Sequence, residues 1–136
     1  MSNKKIKVAF ICTHNSCRSQ IAEALGRRFC SDVFDSYSAG TDIRPEISQD
    51  AVRLMKEIYS IDMEEMQRPK RLEDIPPVDI VVTMGCGVEC PYLPCRLRED
   101  WALEDPTAKG DTQFRLIIAE IERKVTSLCK KLERQF

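Results

Sequence analysis

Cys12 and Arg18 stand at the two ends of the run Cys12-Thr13-His14-Asn15-Ser16-Cys17-Arg18. A stretch of that length can circle a tetrahedral oxyanion and bring both of its ends back onto it. The residues before it are apolar and β-branched, and those after it have helical spacing. The run is therefore a loop between a strand and a helix N-terminus, where successive backbone N–H groups converge and form a nest for an anion. A cysteine opening such a loop faces a positive field that favours thiolate over thiol. Arg18 has the planar fork that grips two oxygens of one anion, and the hydroxyl of Ser19 is placed to donate to the sulfur. Thr13, His14, Asn15, Ser16, Cys17 and Arg18 are thus the expected anion-binding set. The run lacks the glycines and lysine of a triphosphate-binding loop, which disfavours ATP.

The surrounding elements must hold that loop in place. Ile6 to Ile11 (IKVAFI) reads as a strand buried on both faces. Ile21, Ala22, Ala24, Leu25 and Phe29 mark the helix after the loop. Val33 to Ala39 reads as a second strand ending at Gly40. Pro45 opens a second helix with Ile47, Ala51, Leu54, Met55 and Ile58 on one face. Pro69, Pro76 and Pro77 then punctuate a segment with one short helix, Lys70 to Asp74. Asp79 to Met84 (DIVVTM) is another strand of buried type, and a short strand is expected near Trp101 to Leu103. Thr112 to Leu132 is one long amphipathic helix. Buried-type strands alternating with helices predict a parallel sheet, which binds ligands at the C-terminal ends of its strands. Each loop rich in reactive residues begins where a predicted strand ends.

The chain has 136 residues, the length of one ordinary domain, with 43% apolar residues to build its core, and we read 1–136 as a single folding unit. With 21 Lys and Arg against 22 Asp and Glu, the net charge of -1 argues against nucleic acid as the main partner. The apolar run Val8 to Ile11 is too short for a signal peptide or a membrane span, so no membrane partner is expected and the cytoplasm is the expected compartment. There, 7 cysteines point to catalysis or metal rather than structural bridges.

CTHNSCRSQ (Cys12 to Gln20), with Ala22 and Glu23, resembles the phosphate loop of the low-molecular-weight protein tyrosine phosphatase superfamily, and more closely that of the thioredoxin-coupled arsenate reductases built on that fold. Tyr37-Ser38-Ala39-Gly40, Asp79 to Thr83, Asp105-Pro106 and the closing helix extend the resemblance along nearly the whole chain. It implies an α/β three-layer sandwich with a four-stranded parallel sheet flanked by helices. It also implies Cys12 as nucleophile, Arg18 as oxyanion clamp and Asp105 as general acid. The acid makes physical sense, because a departing oxygen leaves faster when it receives a proton. Pro106 biases Asp105 toward an extended conformation and stiffens the loop that delivers it.

Phosphatase and reductase both begin with thiolate attack on the oxyanion and part ways at the second step. A phosphatase hydrolyses the thiophosphate with water. A reductase needs a second thiol to attack the first sulfur and expel arsenite, and a third to carry the disulfide to a reductant. The loop Gly85-Cys86-Gly87-Val88-Glu89-Cys90-Pro91-Tyr92-Leu93-Pro94-Cys95 supplies such thiols. If its strand lies beside the first, backbones about 4.8 Å apart put Cys86 near the roughly 4.4–6.8 Å Cα separation that a disulfide needs. The resemblance then implies a relay in which Cys86 attacks Cys12, and Cys90 attacks Cys86. A Cys90–Cys95 exit is also chemically open. Gln20, where phosphatases of this fold carry Pro, favours the reductase. So do Thr107, Ala108 and Lys109, where they carry aromatics. Arsenate is the expected substrate, with thioredoxin, a glutaredoxin or a low-molecular-weight thiol as reductant. The alternative is a phosphatase acting on phosphate monoesters through a Cys12 thiophosphate. No tightly bound cofactor is expected beyond an arsenate, phosphate or sulfate in the loop.

Other residues have plainer readings. His14, the sole histidine, reads as a loop spacer at positive φ rather than as an imidazolium on the anion. Asn15 holds the loop through its side chain, Cys17 is structural, and Cys30 and Cys129 are packing residues. Asn15, Glu23 and Asp62 resemble the potassium ligands of some relatives, a site left open. Zinc on Cys86, Cys90 and Cys95 is disfavoured because no second ligand pair lies downstream, and no metal site is expected.

Overall fold

The computed structural model describes residues 5–85 and 93–135. Four strands form one parallel sheet in the order β2-β1-β3-β4: β1 (Ile6–Ile11), β2 (Phe34–Ala39), β3 (Ile80–Thr83) and β4 (Leu97–Asp100). The helices are α1 (Arg18–Cys30), α2 (Gln49–Tyr59), the single turn α3 (Met63–Met66) and α4 (Asp111–Gln135), with a 3-10 turn at Leu72–Asp74. The expected four-stranded parallel sheet with flanking helices is the observed architecture.

The sheet separates two apolar layers. Val8, Phe10, Ile80 and Val82 point to the side where α1 and α4 pack, and there they meet Ile21, Leu25, Phe114, Ile121 and Val125. Phe10 sits between Phe34 and Trp101, with ring centroids 6.3 Å and 5.5 Å away. Ala9, Ile11, Ala39 and Val81 face the other side, against Tyr37, Leu72, Ile75, Val78 and Cys95. Alternation along β1 thus feeds both layers, which is why its sequence is continuously apolar.

Three expected boundaries are corrected. α2 starts at Gln49, capped by the Ser48 hydroxyl accepting from Ala51 N–H, rather than at Pro45. The residues ahead of it are held to the anion loop instead: Arg44 N–H donates to His14 O at 3.1 Å and Ser48 N–H to Ser16 O at 2.7 Å. The short helix expected over Lys70 to Asp74 is a 3-10 turn at Leu72–Asp74, and a further turn, α3, lies ahead of it at Met63–Met66 where none was expected. The strand expected near Trp101 to Leu103 lies earlier, at Leu97–Asp100. Trp101 and Leu103 are buried and alternate with exposed Ala102, which imitates a strand, but Ala102 has a φ of 48° and leaves the ladder.

Candidate active site

The anion loop leaves the C-terminal end of β1, and its conformation is set from inside. Asn15 is fully buried with a φ of 48°, a left-handed position that Asn adopts more readily than most residues. Its Oδ1 accepts from Lys70 N–H at 2.8 Å and from Gln20 Nε2 at 2.9 Å. Its Nδ2 donates to Ser19 Oγ at 2.8 Å. Gln20 Nε2 also donates to the carbonyls of Asn15 and Arg68, and Gln67 Nε2 donates back to Gln20 Oε1 at 2.7 Å. Gly40 closes the far side, since a Cβ there would stand 2.6 Å from Thr13 O and 2.8 Å from Cys12 O. Only glycine lets β2 end this close to the loop.

The reactive groups sit within that frame. Cys12 Sγ lies 2.9 Å from Ser19 Oγ. Because Asn15 already donates to Ser19 Oγ, the serine proton is free to point at the sulfur. Arg18 opens α1, and its Nη1 donates to the carbonyls of Met84 and Leu103, both at 2.6 Å. Cys17, buried beside them, has its thiol pushed well above the usual range by burial, and further by the charge of Asp105 and by Cys12. It stays protonated, as a structural thiol would.

Cys12, Thr13, His14, Ser16, Cys17, Arg18 and Asp105 line one open cavity of about 670 Å³, whose opposite wall is residues 44–49. Asp105 reaches it from the segment after β4. Partial shielding from water raises its pKa. Hydrogen bonds from the Thr107 hydroxyl and N–H, with the charges of Arg18 and Lys109, outweigh that and leave the carboxyl below the usual carboxylate range. His14 Nδ1–H donates to Asp42 O at 2.8 Å, and Nε2 faces Arg44 Nη2 at 3.4 Å. Arg44 and the carbonyls of Met84 and Leu103 are not foreseeable from the sequence, since no local pattern marks them.

Glu23 is fully buried, and it is matched by cations of the chain itself. Its Oε1 accepts from Ser38 Oγ at 2.5 Å and from Lys70 Nζ at 3.2 Å, while Arg27 Nη2 lies 2.7 Å from Oε2. Asp62 spends its carboxylate capping α3 through Glu64 N–H. A potassium ion does not fit this arrangement, because the Lys70 ammonium already stands on the carboxylate. Among the described residues, no group of three His, Cys, Asp or Glu side chains could hold a metal ion, and no helix is long and apolar enough to cross a membrane. Cys86 and Cys90, the two relay candidates, lie outside the described residues, whereas Cys95 is half-buried and free.

The β1–β3 register decides what can reach Cys12. Ile11 pairs with Thr83, and Met84 N–H donates to Ile11 O at 3.2 Å. Cys12 is thus level with Met84, two residues before Cys86. A cysteine, an arginine and an aspartate around an anion-sized loop at the C-terminal edge of a parallel sheet are the groups that an attack on a tetrahedral oxyanion through sulfur requires. The sequence profile of the low molecular weight phosphotyrosine protein phosphatase family matches residues 7–136, and the chain belongs to that family. Within it, the chain is 33% identical to arsenate reductase 1 of Staphylococcus epidermidis over 95% of its own length and 99% of the relative's. The structure of an arsenate reductase in the phosphate-binding state superposes with a TM-score of 0.82 at 30% identity, covering 93% of this chain and 98% of that one. The thioredoxin-dependent arsenate reductase of Corynebacterium glutamicum gives 0.79 at 30% identity, covering 100% of this chain and 66% of that one.

Proposed function

We propose that this protein reduces arsenate to arsenite, with Cys12 as nucleophile and Cys86 and Cys90 as the relay that delivers two electrons. Arsenate sits in the loop of residues 12–18, its oxygens held by loop N–H groups and the Arg18 guanidinium. The Cys12 thiolate attacks arsenic while Asp105 gives a proton to the departing oxygen, so that water leaves and a Cys12–arsenic bond forms. Cys86 thiolate then attacks Cys12 Sγ. The sulfur–arsenic electron pair passes to arsenic, arsenite leaves, and a Cys12–Cys86 disulfide remains. Cys90 attacks Cys86, frees Cys12 and leaves a Cys86–Cys90 disulfide for the dithiol of a thioredoxin to reduce.

The observation that carries this reading is the position of Met84. It is in register with the nucleophile's strand and held by the anion clamp itself, and the chain runs from it directly to Cys86. The likeness to thioredoxin-dependent arsenate reduction supports the choice of reductant. The test is arsenite release from arsenate with thioredoxin, thioredoxin reductase and NADPH. Cys12→Ser abolishes turnover. Cys86→Ser also blocks it but leaves any weak aryl-phosphate hydrolysis, which needs only the first thiol. Turnover of aryl phosphate far above arsenate, with Cys86→Ser neutral, would instead establish a phosphatase.

A further inference from the structure

Cys30 and Cys129 lie outside the active-site cavity and take no part in the proposed mechanism. Cys30 is the last residue of α1 and is buried, only 1% exposed. Its thiol faces α4, where it lies 3.9 Å from the carbonyl oxygen of Val125. Val125 and Cys129 are one helical turn apart, so they share the face of α4 that meets α1. Cys129 is half-buried at the edge of this contact, and both cysteines are free thiols. Cysteines at a helix contact commonly serve as small apolar fillers. Here the buried thiol at the end of α1 is directed at the turn of α4 that carries a second thiol, and that second thiol opens to solvent.

We propose that Cys30 and Cys129 form a second dithiol, separate from the catalytic thiols, which a peroxide oxidises to a disulfide joining the end of α1 to α4. The half-exposed sulfur reacts first: Cys129 thiolate attacks one peroxide oxygen, the O–O bond breaks, and sulfenic acid and hydroxide form. Cys30 sulfur then attacks Cys129 sulfur. The S–O bond breaks, the oxygen takes the Cys30 proton and leaves as water. Two thiols and one hydrogen peroxide give one disulfide and two waters.

The bridge links positions on either side of β2, α2, β3 and β4, so it closes most of the chain into one loop and restricts the unfolded state. It lies at the opposite end of α1 from Arg18, so the anion loop keeps its shape. The dithiol is a stabilising clasp that closes under oxidising conditions and reopens with a dithiol reductant.

Peptide mapping after hydrogen peroxide treatment tests this. The full-length protein is oxidised, remaining thiols are alkylated, and trypsin releases Phe29–Arg53 and Val125–Lys130. These two peptides are expected as one disulfide-linked species that dithiothreitol separates and that Cys129→Ser lacks. Oxidation is also expected to raise Tm by roughly 5–10 °C in the wild-type protein but not in Cys129→Ser, a half-buried position where serine is accommodated. Recovery of both cysteines as alkylated thiols or as sulfonic acids, when the cysteines of residues 86–95 have been oxidised, would overturn the proposal. So would pairing of either with another cysteine. Because the readout is covalent rather than catalytic, it stands or falls independently of the arsenate reading.

Discussion

A single nitrogen of Arg18 holds Met84: Nη1 donates to its carbonyl at 2.6 Å, and at the same length to the carbonyl of Leu103. Met84 is the last residue but one before Cys86, and Leu103 stands two residues before Asp105. The side chain expected to clamp the anion therefore also pins the starting points of the two segments that carry the proposed second thiol and the proposed acid. A guanidinium has N–H groups enough for both duties, whereas an ammonium has three donors on one atom.

Arg18→Lys tests that double duty. Lysine keeps the charge, but its one nitrogen cannot span two carbonyls and an oxyanion together. We expect kcat/KM for arsenate to fall by at least about a hundredfold, or about 2.7 kcal/mol, with an unchanged far-ultraviolet circular dichroism spectrum. Activity within a few-fold of wild type would mean that charge alone is what the site uses.

Asn15→Ala should show how strongly the loop is held from within. The change puts alanine at a φ of 48°, takes the acceptor from the part-buried Lys70 N–H and removes one of the three acceptors of Gln20 Nε2. Left-handed backbone costs roughly 1–2 kcal/mol, and the Lys70 donor left unpaired about 1–3 kcal/mol. Urea unfolding should therefore report a loss of roughly 2–4 kcal/mol, the low end applying if a water replaces the amide. A loss below about 0.5 kcal/mol would show that the network is not structural.

His14→Gly should be nearly silent. The ring is engaged with Asp42 O and Arg44 rather than with the anion loop's centre, so only the backbone of residue 14 is needed there. Turnover of arsenate should remain within about tenfold of wild type; a loss above roughly a hundredfold, about 2.7 kcal/mol, would make the imidazole part of the site.

The parts of this site that sequence reveals are those encoded locally. Cys12 and Arg18 are readable because one strand, one loop and one helix place them, and β1 and β3 because they are short runs of apolar, β-branched residues. What stayed hidden depends on contacts between distant segments. Pro45 signals a helix start, yet residues 44–48 are drawn to the anion loop by backbone hydrogen bonds and the helix waits for Ser48. β4 (LRED) is mostly exposed on the sheet edge and has no apolar signature, while the apolar alternation falls on Trp101 and Leu103 just beyond it. Gln20 could be noticed as unlike a phosphatase, but its bonds to Arg68 and from Gln67 join residues nearly fifty positions apart in sequence.

Lys70 predicts indifference to potassium. Its ammonium sits on Glu23 Oε1 and on Arg68 O, so the buried carboxylate carries its own counter-ion. Arsenate turnover and Tm should be the same in sodium and potassium chloride at equal ionic strength. Lys70→Met leaves Glu23 with Arg27 and Ser38 only. That variant should lose roughly 1–3 kcal/mol of stability, the cost of removing one partner from a buried charge. A marked potassium requirement in the wild-type protein would contradict this.

Asp105 is ionised in the resting protein, although its proposed task requires a proton. The hydrogen bonds from Thr107 and the charge of Arg18 that lower its pKa are relieved in part when an anion occupies the loop and offsets Arg18. Bound arsenate should therefore move the carboxyl upward, toward the protonated form. Thr107→Val, at an exposed position, removes the hydroxyl donor and should raise the pKa in the free protein as well. The limb of the pH–kcat/KM profile on which activity falls with rising pH should then shift to higher pH, because the acid keeps its proton longer. Asp105→Asn should erase that limb and slow the chemical step by about a hundredfold or more. The stability consequence has the opposite sign. A carboxyl held low in the folded state stabilises it above the unfolded pKa, and that stabilisation is lost as pH falls through the folded one, so Thr107→Val should be less stable than wild type at neutral pH and converge with it in acid. A profile that moves to lower pH in Thr107→Val would remove Asp105 from the role of proton donor.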